Sequence, residues 1–190
     1  NDQDNHNDND QVDNNGQNNH VNNQNDQVDN GFKATANFRM STDEVCVNGS
    51  CNFSANDDHP SCLYVWSFGD GTYSNEANPS HAYKKAGEYN VTLVIKNART
   101  YEVMASNTEM IVVHELPQAE ISLVKAIDGI PTYSFSNKAF DSEVVLWNVK
   151  GIKQSTNDEF EHNFRKKGTY TVSLITKNDQ GCTNKVEEQI

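Results

Sequence analysis

The chain repeats itself at one fixed distance, and that repeat constrains the fold more than anything else in it. Trp66 is matched by Trp147, and His81-Ala82-Tyr83 by His162-Asn163-Phe164. Gly87-Glu88-Tyr89-Asn90-Val91-Thr92-Leu93 is matched by Gly168-Thr169-Tyr170-Thr171-Val172-Ser173-Leu174, and Lys96-Asn97 by Lys177-Asn178. Every pair is separated by 81 residues. Phe53 and Phe135 match at a shift of 82, which implies one insertion or deletion in the loop that follows. A shared offset across so many positions marks two copies of one unit.

The unit is built of strands. Tyr64, Trp66 and Phe68 alternate with smaller or polar residues, as do Tyr89, Val91, Leu93 and Ile95, and again Tyr170, Val172 and Leu174. Period two places one face in a core. Turn signals punctuate the runs: Asn48-Gly49, Gly69-Asp70-Gly71, Asn78-Pro79, Lys167-Gly168. No stretch carries a helical stripe. Short strands, frequent turns and about 80 residues per unit suit a β-sandwich. The expected fold is all-β: two tandem immunoglobulin-like sandwiches, over 32–116 and 117–190, behind a tail over 1–31.

Composition matters most in that tail. Its first thirty residues hold twelve Asn, seven Asp and five Gln. With only three Val as apolar residues, it cannot offset the entropy of ordering, and the sequence predicts disorder there. The formal net charge is −12. Basic clusters are short (Lys84-Lys85, Arg165-Lys166-Lys167), which argues against a nucleic-acid partner. No apolar run approaches the roughly 20 residues of a membrane-spanning helix.

The cysteines are Cys46, Cys51, Cys62 and Cys182. Their spacing is not that of a zinc site, and an oxidising compartment is the better reading. Asn48-Gly49 is the preferred pair for a two-residue hairpin. If that hairpin forms, Cys46 faces Cys51, and these two are expected to bond. Cys46 with Cys62 is the second choice, and four reduced thiols are the alternative to both.

Trp66-Ser67-Phe68-Gly69-Asp70-Gly71-Thr72, then Asn78-Pro79, His81-Ala82-Tyr83 and Gly87-Glu88-Tyr89-Asn90-Val91-Thr92-Leu93, closely resemble the pattern of the PKD (polycystic kidney disease) domain. The second unit keeps Trp147, His162, Phe164, Gly168 and Tyr170 but has Val149-Lys150-Gly151-Ile152 in place of the F-G-D-G turn. It resembles a divergent copy. The resemblance implies tandem modules of bacterial or archaeal surface and secreted proteins. Trp66, Phe68, Gly69, Asp70, Gly71, His81, Tyr83, Gly87, Tyr89, Trp147, Gly168 and Tyr170 then form a structural motif. Some members of the family hold calcium in the loop before the tryptophan strand. Here that loop offers Asn56, Asp57 and Asp58, although it departs from the family's Asp-Pro-Asp-Gly form. The resemblance also implies a partner for Cys182 between Lys125 and Pro131. That segment has no cysteine, so Cys182 is expected to be free or bonded outside this chain.

The implied function is a non-catalytic extracellular module that spaces, adheres or binds protein or surface glycan. Its expected place is the cell surface or outside the cell, with the periplasm as the other oxidising compartment. The alternative is a substrate-binding accessory of a secreted polysaccharide- or protein-degrading enzyme. That reading calls for aromatics in a row, for which Tyr73, Tyr101 and Tyr133 are the candidates. No nucleophile–base set, carboxylate pair or phosphate loop points to an enzyme. No cofactor is implied beyond the calcium.

Overall fold

The computed structural model describes residues 32–125, 132–138, 142–149, 151 and 153–190. The Asn/Asp/Gln-rich segment over 1–31, and with it the expectation of disorder, lies outside them. Among the described residues there are strands and no helix.

The first half contains β1 (Phe38–Met40), β2 (Glu44–Cys46), β3 (Ser50–Ala55), β4 (Cys62–Ser67), β5 (Tyr73–Ser74), β6 (Ser80–Ala82), β7 (Gly87–Asn97) and β8 (Val103–His114). The second contains β9 (Ile121–Lys125), β10 (Thr132–Asn137), β11 (Glu143–Val149), β12 (Lys153–Ser155), β13 (Glu159–Asn163), β14 (Thr171–Lys177) and β15 (Thr183–Gln189). Each half pairs a three-stranded sheet with a larger one, and among the described residues no sheet mixes strands from both halves. The orders are β1-β3-β6 with β2-β8-β7-β4-β5, and β13-β10-β9 with β12-β11-β14-β15.

The period-two runs fold as their pattern requires. On β3, Cys51 and Phe53 are buried between exposed neighbours, and on β7 Val91, Leu93 and Ile95 are fully buried. Register preserves the repeat. Trp66 stands opposite Leu93, and Trp147 opposite Leu174, again 81 residues on. Both tryptophans are wholly buried. Around Trp66 pack Phe38, edge-on at 5.0 Å, and Phe53 at 5.7 Å. Around Trp147 pack Phe135 at 6.2 Å and Phe160, edge-on at 5.5 Å.

The Cys46–Cys51 bond expected from the hairpin does not form. Cys46 is bonded to Cys182, with Cα atoms 5.7 Å apart, while Cys51 and Cys62 are buried thiols outside that bond. The reason is the turn. Asn48 adopts φ 65°, but Gly49 is not at positive φ, so the type I′ geometry that needs both residues there is absent. The segment instead switches sheets. β2 pairs parallel with β8, and β3 pairs with β1 and β6 in the other sheet. Asn48 N–H donates to the Tyr83 carbonyl, tying the crossing chain down. Cys51 follows the parity of Phe53 into the core, away from Cys46. The expectation that Cys182 would be free or bonded elsewhere is corrected by the same bridge.

Candidate functional site

The Gly69-Asp70-Gly71 turn gathers several polar contacts onto one carboxylate. Gly69 has φ 82°, and a Cβ there would stand 2.8 Å from the Asn90 carbonyl oxygen, so only glycine lets the turn lie against β7. Gly71, at φ 91°, completes the reversal. Asp70 is thereby aimed back over the turn. Its Oδ1 accepts from Thr72 N–H at 3.0 Å and from the Thr72 hydroxyl at 2.6 Å. Its Oδ2 lies 2.8 Å from His81 Nε2. Burial opposes the charge on Asp70, but the hydrogen bonds from Thr72 and His81 outweigh it and hold the carboxyl below its ordinary range.

His81 is held in turn by rings. It stacks on Phe68 at 4.2 Å and meets Tyr83 edge-on at 4.6 Å. The buried Tyr83 hydroxyl donates to the Phe68 carbonyl at 3.1 Å. Burial pushes the Tyr83 phenol well above its usual range, with Asp70 adding to the effect. Thr72, His81 and Asp70 contain the side-chain types of a hydrolase triad but not its geometry. Asp70 and the Thr72 hydroxyl share one ring nitrogen, Nε2, so no relay across the imidazole runs from carboxylate to hydroxyl. This chemistry fixes a turn.

A second bond recurs at the 81-residue offset. The Tyr89 hydroxyl donates to the Lys85 carbonyl at 2.9 Å, and the Tyr170 hydroxyl to the Lys166 carbonyl at 2.7 Å. Each is a tyrosine corner, a side chain closing the turn into its own strand. Gly87 and Gly168 precede these rings, and a Cβ on either would come within 3.6–3.8 Å of them. Neither this role nor that of Thr72 was read from the sequence, although the matched Lys85/Tyr89 and Lys166/Tyr170 spacing carried the signal.

The second sandwich lacks the Asp70 network. Gly151, at φ 74°, stands where Asp70 would, and Lys150 and Ile152 lie outside the described residues. Trp66 Nε1–H donates to the Glu76 carbonyl at 2.8 Å, whereas the buried Trp147 Nε1–H has no acceptor among the described residues.

In the loop before β4, the Asp57 carboxylate faces Thr35. Its Oδ2 accepts from Thr35 N–H at 2.7 Å and from the Thr35 hydroxyl at 2.9 Å. The Asp57 carbonyl accepts from the Tyr64 hydroxyl at 2.7 Å, and burial raises the Tyr64 phenol. Asn56 and Asp58 are exposed. Among the described residues no three His, Cys, Asp or Glu side chains converge as a metal cluster. Calcium requires six to eight oxygens, and the Asp57 carboxylate oxygen that could serve is already taken by Thr35.

The aromatic row does not assemble. Tyr73 and Tyr101 are exposed, but Tyr133 turns inward, edge-on to Phe164 at 5.6 Å. Tyr73 lies at the Ser67–Thr92 rung of the large sheet, and Tyr101 lies beyond Asn97, about five residues or roughly 16 Å along β7.

The junction between the halves is heavily fastened. Besides the Cys46–Cys182 bridge, Asn178 Nδ2 donates to the Glu115 carbonyl at 3.0 Å and Asn184 Nδ2 to the Pro117 carbonyl at 2.9 Å. The Gln118 carbonyl accepts from Thr176 at 3.1 Å and Ser142 at 2.9 Å.

The family model of the PKD domain matches residues 33–112 and 115–190. The chain is 28% identical over 149 residues to a protein named collagenase ColA from Clostridium perfringens, covering 75% of this chain and 13% of that protein. It is 27% identical over 154 residues to the pre-pro-metalloprotease PrtV of Vibrio cholerae, covering 80% and 17%. The chain thus spans about a sixth or less of the length of these relatives. Among solved structures it is similar to the fibronectin(III)-like modules of Clostridium thermocellum CbhA, at 13% identity and a TM-score of 0.36, covering 80% of this chain and 91% of that one.

Proposed function

The chain belongs to the PKD domain family, matched twice along its length, and from that membership we propose that it is a non-catalytic accessory segment whose task is to hold what lies beyond it at a set distance and angle. One module runs over 32–116 and the other over 117–190. The observation that carries this reading is the fastened junction. A flexible tether would leave the carbonyls of the connector between β8 and β9, residues 115–120, to water. Here three of them are held by side chains of the second sandwich, and a covalent bridge stands beside them. Bridges of this kind persist outside the cytosol, which supports an extracellular or cell-surface place. The Asp70–His81 pair is read as a brace for the turn, not as an acid–base couple.

Paired spin labels at the exposed Tyr101 and Glu188 test the spacer. A single narrow distance distribution is expected, and a broad one of freely jointed modules overturns the reading. A second reading is substrate engagement within a protein-degrading enzyme, favoured by the names of the curated relatives. Co-sedimentation with insoluble collagen tests it, and an affinity tighter than about 100 µM would displace the spacer as the main role. Calcium at Asn56, Asp57 and Asp58 is a further proposal. Binding there would be weak, because the ion must compete with Thr35 for the Asp57 carboxylate.

A further inference from the structure

We propose that the Cys46–Cys182 bridge is a load path: tension on the two ends of the chain crosses it and bypasses both sandwich cores. The bond joins positions 136 apart in sequence. Everything from β3 to β14 lies inside the closed loop, including Trp66, Trp147 and the whole connector. At 3.3–3.6 Å per extended residue, about 450–490 Å of chain is locked in that loop. Only β1 and β2 on one side and β15 on the other lie outside it.

The strand arrangement puts the bridge at the point where load would otherwise enter the fold. β2 runs parallel to β8, with Glu44 opposite Val112, Val45 opposite Val113 and Cys46 opposite His114. The Glu44 carboxylate also lies 3.1 Å from His114 Nε2. Without the bridge, a pull on the N-terminal side of β2 would have to pass through those three rungs into β8. From there it would run through the connector, whose fastenings are single hydrogen bonds from Asn178, Asn184, Thr176 and Ser142. With the bridge, the pull reaches Cys46, crosses two sulfurs and leaves through Cys182 into β15. Beyond the contacts that β1, β2 and β15 themselves make, no noncovalent contact of either core then stands in series with the load. The tandem keeps its length under a force that would open either sandwich alone. This goes beyond the spacer reading and does not depend on it, since a segment that proved to bind substrate would still carry load in this way.

The test is to stretch the full chain between handles at its two ends, comparing the oxidised wild type with Cys182→Ala. The difference between the two cancels whatever residues 1–32 contribute. The oxidised chain should release no more than about 70 Å from its folded residues, the roughly twenty outside the loop. Cys182→Ala should release about 450–490 Å more. Should that variant fail to fold, the folded wild type is reduced in place with a dithiol, which becomes a cyclic disulfide as the bridge becomes two thiols. The same added length is expected. An oxidised chain that extends as far as the variant or the reduced chain overturns the proposal. So does a variant or reduced chain that stays as short as the oxidised one.

Discussion

The two sandwiches share a register but differ in how they close the end of the tryptophan strand. In the first, Gly69 and Gly71 free the backbone, Asp70 gathers Thr72 and His81, and Tyr83 and Trp66 each find a carbonyl. In the second, Gly151 replaces Asp70, Phe164 replaces Tyr83, and Trp147 is buried without an acceptor among the described residues. The second core answers with an extra ring. Phe160 stacks on Phe135 at 4.7 Å and meets Trp147 edge-on, where the first half has Pro79 at the matching position. One fold is therefore reached by two balances. One leans on directed polar bonds at a turn, the other on aromatic packing.

Variants probe this contrast, and each sandwich has a single tryptophan as its own reporter. The largest effects are expected from Trp66→Ala and Trp147→Ala, about 3–5 kcal/mol each, because a wholly buried ring leaves a cavity in either half. Chemical denaturation followed by circular dichroism measures both. Asp70→Ala comes next, at about 1.5–3 kcal/mol, since three donors lose a charged acceptor. Trp66 fluorescence should report the loss while Trp147 reports none. Equal loss in both halves would contradict the contrast. Trp66→Phe should then cost about 1 kcal/mol more than Trp147→Phe, because only the first strands a bonded carbonyl, that of Glu76.

The acid response follows with its sign fixed. Against the desolvation that opposes its charge, the hydrogen bonds from Thr72 and His81 hold the Asp70 carboxyl below the ordinary aspartate range. The stability it adds is complete above about pH 4 and is lost as pH falls through the lower folded-state value. Acid titration of the wild type should therefore show a steeper loss than Asp70→Asn in that window. The smallest effect is calcium. Calorimetry at millimolar calcium should give weak heat that Asp58→Ala removes, and heat equal in both proteins would dismiss the site.

Much of this was legible in the sequence, for a physical reason. The large apolar residues of Tyr89 to Ile95 and of Tyr170 to Leu174 alternate strictly, so their faces were determined. The 81-residue offset then carried the first core onto the second, down to Trp66 and Trp147. The Gly-Asp-Gly segment was legible as a chain reversal because its glycines can take the positive φ that other residues avoid. What escaped was anything set by which sheet a strand joins. Asn48-Gly49 carries the local chemistry of a hairpin, yet β2 finds its partner in β8, almost seventy residues on. Tertiary pairing overrode turn preference, and the cysteine assignment failed with it. Parity did hold a clue. Cys51 shares the inward face of Phe53, which leaves Cys46 as the cysteine free to reach out of the first core.

The clamp between the two halves rests on one covalent bond, and non-reducing peptide mapping with mass spectrometry reads that bond itself. The predicted result is one cross-linked pair, Cys46 with Cys182, and Cys51 and Cys62 taking an alkylating label only after denaturation. A Cys46–Cys51 or Cys51–Cys62 cross-link, or a Cys182 thiol open to label in the native chain, would contradict it.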